Sequence, residues 1–101
     1  MIIYNVTTHV ANAVNNDWIA WMKVIHIPEV MHTGCFSKFQ MIRMMETDET
    51  EGITYAVQYY AESKADYNRY IEVNAPVLRK NTIDKWGDKT ISFSTLMEIV
   101  H

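Results

Sequence analysis

The chain has 101 residues, 49% of them hydrophobic, with a formal net charge of -3 and a single cysteine, Cys35. That length makes one domain, residues 1–101, with a real core but so much surface that a subunit interface would help to cover it. Scattered basic residues argue against nucleic acid as a partner, one cysteine excludes an internal disulfide, and no apolar run approaches the roughly 18 residues of a membrane span. The start, Met1 to Val6, lacks the basic residues and small-residue cleavage site of a signal peptide, so a cytoplasmic protein is expected.

Ile2 to Val10 is rich in Ile, Val, Tyr and Thr and reads as a strand, with Tyr4, Val6 and Thr8 on one face and Ile3, Asn5 and Thr7 on the other. Asn15, Asn16 or Asp17 is placed to cap a helix running from about Asp17 to Met31. Trp18, Trp21, Met22 and Ile25 form its apolar stripe. Pro28 cannot donate to the carbonyl of Val24 and disfavours the helical state at Ile27, which predicts a kink or a break beside His26, with the helix resuming through Met31. Gly34 ends the element.

Phe36 to Met45 is a second strand, Glu46 to Gly52 an acidic turn, and Ile53 to Tyr60 a third strand, together a hairpin. Ser63 and Asp66 open a second helix as a capping box, and Tyr67, Tyr70 and Ile71 share one face of it. Pro76 interrupts this helix, which resumes from Val77 to Trp86; Gly87 and Asp88 turn the chain into a last strand, Thr90 to Val100. The order βαββαβ is ferredoxin-like, an α+β fold whose four-stranded antiparallel sheet carries both proline-interrupted helices on one face. The halves repeat loosely, and His26 and Asn74 occupy matching positions two residues before their prolines.

Tyrosine-rich sets of the first and third strands suit the helix-covered face. The opposite face is then expected to mix Ile3, Phe39, Met41, Ala56 and Leu96 with Asn5, Arg43, Thr54, Gln58 and Glu98. Such a face is too apolar for water and too polar for a dry core, which predicts a homodimer packed through the open sheet face and enclosing a pocket.

Several short motifs carry a resemblance. They are the opening Met1-Ile-Ile-Tyr-Asn-Val-Thr, Trp21-Met22, His26-Ile-Pro-Glu29, Thr33-Gly34 before Phe36, Thr54-Tyr55, Val57-Gln58-Tyr59, Tyr67 with Tyr70, Ala75-Pro76, Leu78-Arg79 and Trp86-Gly87-Asp88. With these, essentially the whole chain resembles a small bacterial family called domain of unknown function 4286. The resemblance implies a dimeric α+β barrel and no particular activity.

His26 is the candidate catalytic residue, because an imidazole can act as acid or base near neutral pH. The structural reading beside it is a histidine that hydrogen-bonds across the proline break. Asn5, Arg43, Gln58 and Glu98 are candidate ligand-binding residues, with Thr54 beside them and Arg43 as an anion anchor. The competing reading pairs Arg43 with Glu98 in a satisfied network across a dimer interface. Trp18, Trp21, Tyr55, Tyr59, Tyr67 and Tyr70 read first as core, although tyrosine hydroxyls near His26 could join a site. His26, His32 and Cys35 lack metal-ligand spacing, and no phosphate loop or serine-nucleophile motif is present, so neither a metal nor a cofactor is expected. The expected function is a dimeric small-molecule-binding protein or a cofactor-free enzyme acting on a small polar or aromatic metabolite. The alternative is a non-catalytic structural or regulatory module for protein contacts.

Overall fold

The computed structural model describes residues Met1–His101. The strands are β1 (Ile2–Ala11), β2 (Lys38–Arg43), β3 (Gly52–Ala61) and β4 (Thr90–Glu98), in the sheet order β2-β3-β1-β4. All three pairings are antiparallel. Between β1 and β2 the chain forms α1 (Asn15–Trp21) and α2 (Ile27–His32); between β3 and β4 it forms α3 (Lys64–Arg69) and α4 (Ala75–Trp86). This is the ferredoxin-like α+β architecture expected from the element order.

The prolines do not break their helices. Each sits in the first turn after a widened π turn, Met22–His26 before Pro28 and Tyr70–Asn74 before Pro76. The amide of Ile27 reaches back five residues to the carbonyl of Met22, and that of Ala75 does the same to Tyr70. The wider turn accommodates a ring that cannot donate a hydrogen bond, and the backbone stays helical through it. The matched breaks read from the sequence are therefore two equivalent π turns, with His26 and Asn74 as their last residues.

Helix ends follow local chemistry. Ser63 caps α3, its Oγ accepting from the Asp66 amide at 3.2 Å. Val14 precedes α1 without a side-chain cap; Asn15, one of the expected caps, instead accepts from the Tyr55 hydroxyl at 2.7 Å. Past α2 the chain reverses through Gly34 at φ 75, and the Gly34 amide reaches the Met31 carbonyl at 3.2 Å.

Tyr4, Trp18, Val30, Phe36, Val57, Tyr59, Tyr70 and Leu78 belong to one buried cluster, which lies between the helices and the even-numbered face of β1. Facing residues of paired strands share a side of the sheet. Tyr4 faces Tyr59 and Leu96, Tyr59 faces Phe39, Val57 faces Met41, and Tyr55 faces Arg43. Hence Phe39, Met41, Arg43, Leu96 and Glu98 lie on the helix side of the sheet, which corrects their expected place on the open face. Alternation along an isolated edge strand cannot say which set points which way; pairing with the central strands decides it, and one residue of register reverses every side chain. Ile3, Asn5, Thr54, Ala56 and Gln58 do lie on the open face, joined there by Ile42, Ile91 and Phe93.

Candidate functional site

A cavity of about 390 Å³ lies between the helices and the β1–β4 half of the sheet. This is within the ~300–1,000 Å³ typical of small-molecule sites. Trp18, Met22, Tyr59, Tyr70 and Leu78 give it apolar and aromatic walls, while His26, Arg79, Thr82 and the β4 residues Thr90, Ser92 and Ser94 supply polar groups. The β4 residues Ser92 and Ser94 are exposed, so the cavity opens beside this edge strand.

His26 is brought to the cavity by the π turn. Its ring stacks on Trp21, with centroids 4.8 Å apart and planes inclined by 21°. No protein group hydrogen-bonds to the ring, so the imidazole does not satisfy the proline break as the structural reading required. Burial pushes its pKa from 6.5 down to about 4, leaving a neutral imidazole at pH 7.

Three buried side-chain polar atoms have no partner, those of Thr47, Tyr59 and Trp86. Of these residues Tyr59 alone lines the cavity. Its hydroxyl is a buried donor and acceptor without a protein partner, and such a group usually costs about 1–3 kcal/mol unless something else pairs with it. Burial holds the phenols of Tyr59 and Tyr70 far above their ordinary range, and the Tyr4 and Tyr70 rings add to the effect at Tyr59. Both are therefore neutral hydrogen-bonding groups across the physiological range. Arg79 donates to the Tyr4 hydroxyl at 3.1 Å, and this bond raises its pKa further. Thr8 and Ser92 share a 2.7 Å hydrogen bond across β1 and β4.

The residues expected to bind a ligand do not converge. Asn5 and Gln58 face each other on the open side of the sheet. Asn5 donates to Thr7 at 3.0 Å, and Gln58 accepts from the Tyr60 hydroxyl at 3.2 Å. Arg43 lies on the edge strand and holds Glu49 of the acidic hairpin through a two-pronged contact of 2.7 and 2.8 Å, so the expected pairing with Glu98 does not form. Glu98 lies opposite Ile2 at the far end of β4. Only His26, among the residues singled out as candidates, reaches the cavity. Tyr4, Tyr59, Tyr70 and Arg79 were visible in the sequence as aromatic or motif residues. Their common orientation comes from strand pairing, from the π turn that Tyr70 begins and from the turn of α4. Arg79 stood in the sequence only as part of the Leu78-Arg79 motif.

Among solved structures the fold has close relatives in shape with little shared sequence. A dimeric ferredoxin-like protein from an uncultured marine organism is 17% identical with a TM-score of 0.71, covering 99% of this chain and 95% of that one. SnoaB, a cofactor-independent oxygenase from Streptomyces nogalater, is 8% identical at a TM-score of 0.71, covering 99% and 94%. An ethyl tert-butyl ether D (EthD) family protein from Bacillus halodurans is 10% identical at a TM-score of 0.70, covering 99% and 100%. These likenesses establish the fold. No curated protein matches the chain by sequence. No helix is long and apolar enough to cross a membrane. The family model that does match spans residues 1–100, and by it the chain belongs to the family described as Domain of unknown function (DUF4286).

Proposed function

We propose that this protein is a homodimeric small-molecule-binding protein whose cavity takes a small polar or aromatic metabolite and acts on it without a bound cofactor. The unpartnered His26 imidazole in the cavity wall carries this reading. Its ring stacks on Trp21 and no protein group hydrogen-bonds to it, so a ligand in the cavity can supply the missing hydrogen bond.

His26 is the proposed acid–base residue. A neutral imidazole with no protein partner is free to accept a proton from a bound substrate or to hydrogen-bond with it. Arg79 would orient the substrate beside it, against the aromatic wall of Tyr59 and Tyr70. The relative named as a cofactor-independent oxygenase shows that this fold can house chemistry without a cofactor, and supports that part of the reading.

The proposed dimer uses the open sheet face. Ile91 and Phe93 there are 69% and 63% exposed in the single chain, and large apolar side chains grouped on a sheet face favour burial by a partner. Asn5, Thr7, Gln58 and Tyr60 form hydrogen bonds among themselves on that face, which lets them enter an interface without losing their partners.

Native mass spectrometry of the purified protein tests both parts together. Twice the 11.8 kDa chain mass with a retained small molecule, lost in Arg79→Met and His26→Ala proteins that stay dimeric, is the expected result. A dimer that never holds a ligand would favour the non-catalytic interaction module. A stable monomer would overturn the assembly.

A further inference from the structure

Resting on the cavity reading above, we infer that the ligand is a planar aromatic ring carrying an anionic oxygen, because it occupies the place that Phe36 fills in the other half of the fold. The two halves are equivalent element by element: strand, helix with a π turn, edge strand. Each helix pair ends before a glycine with positive φ, Gly34 at 75 and Gly87 at 56, and each glycine leads into an edge strand. In the first half, Cys35, Phe36 and Ser37 separate the glycine from β2. In the second, only Asp88 and Lys89 separate it from β4.

The first half therefore sends an aromatic ring into its interior and the second half does not. Phe36 packs against Tyr70, Tyr59 and Tyr4 at centroid distances of 4.9, 5.3 and 6.1 Å. Tyr70 begins the π turn beside Phe36, and Asn74, the last residue of that turn, lies 3.9 Å from the Cys35 sulfur. Their counterparts by position, Met22 and His26, line the cavity, as do Gly87 and Thr90. The cavity is thus the second half's unfilled version of the Phe36 site. The tyrosines that flank Phe36 also form its wall, so they offer ring faces and edges to whatever enters.

Charge defines the rest of the ligand. Arg79 is the cation of the lining, no carboxylate lines the cavity, and the neutral His26 imidazole has no protein partner. An arginine in an aromatic-walled cavity without carboxylates suits a carboxylate, phenolate or enolate oxygen on the ring.

Three matched probes separate these features by isothermal titration calorimetry: 2-naphthoate, its fully saturated decahydro analogue, and 2-naphthamide. The expected result is 2-naphthoate binding at least tenfold more tightly than either of the others, with Arg79→Met abolishing its advantage over the amide. Equal binding of the saturated acid would overturn the aromatic assignment. Equal binding of the amide, or an unchanged Arg79→Met protein, would overturn the anionic one. In each of those cases a probe still occupies the cavity, so the binding reading stands. If no probe binds while another molecule is retained in native spectra, the ligand class is wrong. If nothing binds and nothing is retained, the cavity reading fails with it.

Discussion

Acid should destabilise this protein through His26 in particular. The group is a base whose folded pKa, about 4, lies below its unfolded value of 6.5. Between those values the unfolded chain binds a proton that the folded chain refuses, so stability rises with pH across this window. The contribution is intact above pH 6.5 and is lost as pH falls towards 4. The full lowering corresponds to about 3 kcal/mol, a sizeable share of the ~5–15 kcal/mol that holds a typical domain folded. Carboxylates also titrate near pH 4, so the measurement must be a difference. Urea unfolding of wild type and His26→Gln at fixed protein concentration, from pH 7.5 to 4.5, isolates the term, because glutamine has no proton to gain. Wild type should lose up to about 2–3 kcal/mol more than the variant over that range. Parallel losses would refute the reasoning and would mean that the imidazole is hydrated or paired in solution.

Tyr59→Phe removes a buried hydroxyl that has no protein partner, so the ligand-free protein should melt at the same temperature or higher, by up to about 1 kcal/mol of stability; a clear loss would reveal a structural partner. Trp18→Ala empties the side of the core that also lines the cavity and should cost roughly 3–5 kcal/mol in chemical unfolding. Gly52→Ala drives a methyl group onto the carbonyl of Val10 and against the His9 ring, and should cost about 1–3 kcal/mol or more by the same assay; an unchanged midpoint would show that β1 and β3 can part there. Phe93→Asp on the open sheet face should yield a folded monomer in sedimentation, with the helical signal of the far-ultraviolet spectrum retained.

Much of the fold was legible from local chemistry. Alternation marked all four strands, Ser63 marked the start of α3, and two prolines marked the paired irregularities. These signals act over a few residues, so the chain carries them wherever it lies. The family motifs, spread from Met1 to Asp88, reached the same architecture by another route. His26 also stood out locally, because its distance from Pro28 is a sequence fact.

Tertiary structure decided which way things face. Arg43 and Glu98 alternate as well on one side as the other, and only pairing with β3 and β1 places them away from Asn5 and Gln58. The prolines announced a disturbance, but whether it became a break or a π turn depended on the packing of each helix against the sheet. The cavity itself is a difference between halves: Phe36 fills one, and the shorter Gly87-Asp88-Lys89 connection leaves the other open. No local residue preference encodes an empty space. It exists because two similar half-folds meet on one sheet and only one of them brings a ring to the centre.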